Sequence, residues 1–297
     1  MEFIRDIHAR CKLEGRPAVS FEFFPPKTDE GERALYERTM PELMTLKPDY
    51  FSVTYGAGGS TRDKTLGIVD RIQRDFSLTG MAHLTCVGST IAQLADVLDE
   101  AQSRGIRNIL ALRGDPPGGQ GDFVKTEGGF EFSHQLVSFI QKRGGFSIGT
   151  AGFPEGHIAC VEGRETDWRR LKSKIDAGAD FVLTQLFFDN EDFFRFRDFL
   201  SGLGNKVSMV PGIIPILNAS QIKKFTTLCG ARIPDRLMRE LDRLVDDDAA
   251  AIEFGIQYAT EQCEELLRAG VPGLHFYSLN KARSTCSVVR NLGLARS

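Results

Sequence analysis

Eight short apolar or β-branched runs, each followed by a segment of helical period, recur from residue 17 to the C-terminus; this alternation restricts the chain to a sheet covered by helices. The runs occupy 18–25, 50–56, 81–87, 108–114, 146–154, 181–188, 207–214 and 274–279. Most are apolar nearly throughout, as parallel strands buried on both faces must be. Between them, segments such as 91–105 carry apolar residues at i, i+3, i+4 and i+7 and end near a glycine, the pattern of a helix lying on a sheet. Eight units favour an α/β fold of the closed (β/α)8 TIM-barrel type, with an open doubly wound sheet as the other arrangement compatible with the alternation. Residues 233–270 are too long for one connecting helix and predict an extra helical segment before the last strand. No Pro/Ser-rich linker or repeat marks a boundary, so residues 1–297 are expected to form a single catalytic barrel behind a short N-terminal lead.

Charge and cysteine usage narrow the partners. With 37 Lys plus Arg against 40 Asp plus Glu the net charge is −3, without the basic excess of a nucleic-acid binder. No apolar run is long enough to span a bilayer, and the first residues lack the apolar core of a signal peptide, so a cytoplasmic location is expected. The six cysteines form no C-x-x-C pair and fit reduced thiols.

In a barrel, functional groups gather at the C-terminal ends of the strands. Glu22, flanked by Phe21, Phe23 and Phe24, is the leading candidate: a carboxylate pointed into a barrel and walled by rings would lose hydration, and its pKa would rise towards that of a general acid. Asp115 ends the fourth run and opens a long Gly/Pro-rich loop, the form of a binding loop, although a turn-forming aspartate fits too. The stretch from Gly56 to Ser60 reads equally as a phosphate cradle or as a plain turn. His157, in the fifth βα loop, is a further site candidate. His83 and Cys86 fall on opposite faces of one strand, and no metal site is expected. Phe193, Phe196 and Phe199 read as a helix packing on the barrel, and Asp246 to Asp248 as a helix start.

The ordered motifs FEFFPPKT, SVTYGAGGSTRDKT, HLTC, NILALRGDPP, DAGADFVLTQLFFD, PGIIPI and HFYSLN resemble methylenetetrahydrofolate reductases of the bacterial single-domain kind, from about residue 17 to 291. The resemblance implies FAD as cofactor, NADH or NADPH as hydride donor, and 5,10-methylenetetrahydrofolate as the substrate reduced to 5-methyltetrahydrofolate in a ping-pong sequence. It implies that Glu22 is the general acid opening the imidazolidine ring and that Asp115 tunes both folate and flavin. For FAD it implies contacts at Thr54, His83, Arg113, Gly114, Asp115 and Phe132, and further at Ala151, Phe153, His157, Asp167, Arg170 and Lys174. Gly118 and Gly152 would give the cofactor room. Folate or nicotinamide would meet Gln185, Gln221, Phe225, Tyr277 and Lys281.

Two positions depart from the family pattern. Phe153 stands where relatives often carry Tyr, which removes a hydroxyl, and Lys281 follows HFYSLN where relatives often carry Arg, which replaces a fork by a point charge. A ligand bearing phosphates and carboxylates needs local cations, for which Arg113, Lys174 and Lys281 are candidates. The chain stops at Ser297, so no regulatory domain is expected; a homo-oligomer is. No acidic residue is identifiable as a ribose reader, which leaves NADH and NADPH equal. The competing readings are a flavin-independent reductase, a pterin-binding barrel methyltransferase and a non-enzymatic folate-binding barrel.

Overall fold

A computed structural model describes residues 1–55, 62–115 and 123–296. The stretch from Gly56 to Ser60 and that from Pro116 to Gly119, with Gly118, lie outside the described residues. The eight strands are β1 (Ala18–Phe23), β2 (Tyr50–Val53), β3 (Thr79–Thr85), β4 (Asn108–Leu112), β5 (Ser147–Gly152), β6 (Phe181–Leu186), β7 (Ser208–Ile213) and β8 (Gly273–Tyr277). All pair in parallel in sequence order, and β8 returns to β1 with Ala18 opposite Gly273 and Glu22 opposite Tyr277. The barrel is therefore closed, and the open-sheet alternative falls away.

Closure fixes the meaning of each strand position, because side chains alternate between the lumen and the helix layer. Phe21, Phe23, Phe51 and Phe276 point outward and pack on one another between strands and helices. Ser20 and Glu22 point inward. Around the sheet lie α4 (Arg62–Phe76), α5 (Ile91–Ser103), α6 (Ser133–Arg143), α7 (Arg164–Asp176), α8 (Asn190–Gly202) and α12 (Arg283–Asn291). The connection after β1 is helical in three pieces: α2 (Asp29–Ala34), a π turn (Leu35–Thr39) and α3 (Met40–Met44). Phe193 and Phe196 of α8 are fully buried against the barrel, as their spacing predicted.

The N-terminal lead is a helix, α1 (Ile4–Leu13), which the strand pattern did not reveal. Its Ile4, Ile7 and Cys11, one stripe at i, i+3 and i+7, join Ala18, Tyr50, Met81, Leu110 and Phe181 in a cluster inside the barrel. Each such side chain contributes about 1.5–3 kcal/mol on burial. The free amides at the start of α1 are met by lumen-facing polar groups: Ile4 N–H donates to Asn108 Oδ1 (2.8 Å) and Arg5 N–H to Ser147 Oγ (3.2 Å). The helix thus closes the N-terminal end of the barrel.

A further helix after β7, α9 (Ala219–Cys229), precedes the expected insertion before the last strand, residues 233–270, which contains α10 (Asp235–Arg243) and α11 (Asp248–Arg268). Asp247 caps α11 by accepting from Ala250 N–H. Its apolar faces join Leu186, Phe188, Ile214 and Ile216 in a second cluster over the C-terminal ends of β6 and β7.

Candidate active site

At the C-terminal end of the lumen, strand alternation brings Glu22, Ser52, His83 and His275 together from β1, β2, β3 and β8. Both imidazoles converge on one carboxylate oxygen: His83 Nε2 lies 3.3 Å and His275 Nε2 3.2 Å from Glu22 Oε2. Each ring is held in turn by a serine. Ser52 Oγ is 2.7 Å from His83 Nε2, and Ser20 Oγ is 2.8 Å from His275 Nδ1. Ser278 also donates its hydroxyl to the Glu22 backbone carbonyl at 2.6 Å. Glu22 is 6% exposed.

This geometry corrects the expectation of a phenylalanine wall. Phe21 and Phe23 face the opposite side of the strand, so the carboxylate's neighbours are polar. Burial pushes the Glu22 carboxyl up, but His83 and His275 outweigh it and hold the group down at about 2. The sequence reading named His83 but missed His275, Ser20 and Ser52. The available signal was the period of two, which places 275 and 277 of β8 on one face.

A second cluster lies at the ends of β4 and β5 and on α7. Burial, and secondarily the Arg113 charge, lower the His157 pKa, which Asp167 and Asp115 oppose. Burial likewise pulls Lys174 down to about 8 against the attraction of Asp167, with Arg113 adding repulsion. The Lys174 ammonium donates to the Ala151 carbonyl at 2.8 Å. His157 N–H donates to Asp167 Oδ2 (3.1 Å), and its Nδ1 accepts from Ala159 N–H (3.0 Å), which leaves Nε2 to carry the proton of the neutral ring. Phe153 sets its ring edge-on to His157 at 4.5 Å. Arg113 lies over the Phe123 ring. Two cations, Arg113 and Lys174, and a donor-ready imidazole thus share their surroundings with the half-buried Asp167 and the exposed Asp115, so cationic donors stand at the ends of β4 and β5 and on α7.

The other predicted residues take varied positions. Ala151 faces the lumen, but a side chain on Gly152 would strike Phe196, Val182 and Leu171, so that glycine serves helix packing and not a ligand passage. Gly114 has φ +84°, and a Cβ there would lie 2.6 Å from Val87, so its own backbone requires it. Thr54 follows β2 and donates its N–H to Phe23 O. Asp115 is exposed beside the end of β4. Gln185 sits where the β6–β7 register shifts, and its Oε1 accepts from Leu186 N–H. Tyr277 donates its hydroxyl to Thr184 O at 2.6 Å and stands edge-on to His275. Gln221 and Phe225 share a face of α9, one turn apart. Arg170, Phe132 and Lys281 also lie apart from both clusters: Arg170 pairs with Glu162, Phe132 stacks on His134, and Lys281 is exposed after the left-handed turn at Leu279 and Asn280.

The sequence-family description "Methylenetetrahydrofolate reductase" matches residues 6–293. A methylenetetrahydrofolate reductase (NADH) 1 of Arabidopsis thaliana is 42% identical over 291 residues, covering 95% of this chain and 49% of the plant protein. The chain therefore spans about half the length of such plant relatives. The 5,10-methylenetetrahydrofolate reductase of Escherichia coli (strain K12) is 38% identical over 284 residues, covering 96% of this chain and 93% of the bacterial one. Among solved structures, a Clostridium thermocellum protein described as binding two copies of 5-methyl-5,6,7,8-tetrahydrofolic acid superposes with a TM-score of 0.63 at 14% identity, over 96% of this chain and 98% of its own; that likeness bears on the fold. The matched span takes in all eight strands and both residue clusters, and on that footing the chain belongs to the methylenetetrahydrofolate reductase family.

Proposed function

We propose that this chain reduces 5,10-methylenetetrahydrofolate to 5-methyltetrahydrofolate with NADH or NADPH, using FAD. The observation that carries the reading is the buried carboxylate between two imidazoles at the C-terminal end of the lumen, where a barrel places its chemistry. The cations Arg113 and Lys174, with the neutral His157 as a hydrogen-bond donor, suit FAD, whose diphosphate and electron-rich ring edge are anion-like. A lysine drawn down to about 8 with a backbone carbonyl as its acceptor is a cation suited to a negative ligand group. Arg113, Lys174, His157 and Asp167 would hold FAD, with Thr54, Ala151 and Phe153 lining its approach. FAD, when bound, supplies a carrier that accepts a hydride from reduced nicotinamide and passes it to folate.

The chain's own work is proton supply and placement. Ring opening needs a proton at the folate N10, and Glu22 is anionic in the ligand-free protein. A pterin covering the mouth strips the remaining water from Glu22 and so pushes its carboxyl pKa back up, making it ready to take and then donate a proton. His83 and His275 hold its position meanwhile. Gln185 and Asp115 orient the pterin from β6 and β4, while Gln221, Phe225, Tyr277 and Lys281 contact folate or nicotinamide from the rim. Stacking and orientation of this kind supply much of such a barrier reduction.

The visible spectrum of the purified protein tests the reading. A flavin absorbance that NADH or NADPH bleaches and methylenetetrahydrofolate restores is expected. A colourless protein that still oxidises NADH with folate would replace it by the flavin-independent reaction.

A further inference from the structure

One arginine outside both clusters ties together three segments of the rim. Arg232, in the link between α9 and α10, places Nη2 2.9 Å from Asp189 Oδ2 and 3.1 Å from Asp192 Oδ2, at the start of α8. Its backbone N–H donates to both oxygens of Glu155 in the loop after β5, at 3.0 and 3.2 Å. Asp192 is 6% exposed, and its other contact with a cation is Arg164 at 3.8 Å. Beside this link, Gly230 ends α9 with φ +76°, and a side chain there would lie 3.0 Å from Ile158 of the same β5 loop. The C-terminal end of α9 is thus docked twice onto the loop that carries Phe153 and His157, by close backbone approach at Gly230 and by the Arg232 N–H on Glu155, while the Arg232 guanidinium ties it to the start of α8.

We propose that Arg232 is a positioning residue: through Asp189, Asp192 and Glu155 it holds α9, with Gln221 and Phe225, at a set distance from the β5 loop. The placement of substrate-contacting roles on Gln221 and Phe225 rests on the function proposed above. The docking itself does not. One guanidinium nitrogen shared by two carboxylates, with the residue's own amide on a third, gives a restraint that a lone surface pair lacks. Restraint of this kind acts on binding: losing it makes α9 wander, and the substrate must then order it.

Hydrogen exchange and steady-state kinetics of the full chain test this on Arg232→Ala and Arg232→Lys. For Arg232→Ala, amides of residues 219–243 are expected to exchange about tenfold faster with strand amides unchanged, and KM for nicotinamide and folate to rise about tenfold with kcat within about twofold. Arg232→Lys keeps a charge without the guanidinium's reach and is expected to fall between. Unchanged exchange over 219–243 overturns the docking role whatever the activity. Faster exchange with unchanged KM overturns the positioning role. Were the wild-type protein inactive on folate, the functional reading would fail, and the exchange result would still decide the docking.

Discussion

The two ends of the barrel treat buried histidine in opposite ways. At the N-terminal end, His8 of α1 lies between Tyr50 and Phe181, and neither of its ring nitrogens has a hydrogen-bond partner. Burial draws its pKa down to about 4, so the ring is neutral and acts as packing. At the C-terminal end, His83 and His275 sit against Glu22, and the pairing reverses the effect that burial alone would have on the carboxyl. One lumen thus contains an apolar plug and a charged site, and what separates them is the presence of a partner.

The largest effect that would break this contrast is at Glu22. Glu22→Gln is expected to lower folate turnover by about 10³-fold, within the range of lost acid–base catalysis, while nicotinamide still bleaches the flavin. Stopped-flow measurement of the two half-reactions separates them; equal loss of both would remove the proton-donor role. At the opposite end, Ile7→Ala should destabilise the protein by about 2–4 kcal/mol in urea unfolding, as cavity formation does, with kcat unchanged. A comparable loss of kcat would mean that the plug reaches the chemistry.

Lys174 sharpens the contrast at intermediate size. Its folded pKa lies below the unfolded value, so the stability linked to its neutral form is fully present above about 10.5 and is lost as pH falls from there through about 8. At pH 7 the charged lysine opposes folding. Lys174→Met should therefore stabilise the ligand-free protein by about 1–2 kcal/mol and weaken FAD binding about tenfold or more, read by thermal melts and flavin titration. Loss of stability without loss of FAD affinity would make Lys174 structural.

The smallest effect concerns Glu155. Burial, then the charges of Asp192 and Asp189, push it up to about 7 against the Arg232 amide and guanidinium. Because the folded pKa is raised, its contribution is complete below about 4.5 and is lost as pH rises through 7. Glu155→Gln should flatten the stability profile between those values by about 1 kcal/mol, allowing for solvent screening. An unchanged slope in denaturation at pH 5 and pH 7.5 would exclude this group as its source.

All eight strands and the insertion before β8 were legible in the chain, since apolar runs and helical stripes are local signals. Helix α1 carries the same stripe, Ile4, Ile7 and Cys11, yet it read as a lead because nothing local says that a stripe will close a barrel. Glu22 was legible as a buried carboxylate, but its environment was read from sequence neighbours. Phe21 and Phe23 adjoin it in the chain and face away from it in space. Its real partners, His83 and His275, lie 61 and 253 residues along the chain, as 83 − 22 and 275 − 22 give.

Composition and periodicity were sufficient for fold class and for the end of the barrel where chemistry belongs, because both follow from hydrophobic burial, whose pattern is written residue by residue. Closure and register decided the rest. Only when β8 pairs with β1 does His275 reach Glu22, and only when α9 folds back over β6 and β7 does Arg232 find Glu155, Asp189 and Asp192. A carboxylate's charge state depends on what stands within about 4 Å of it in space. Neighbours at that range are set by strand pairing and not by order along the chain.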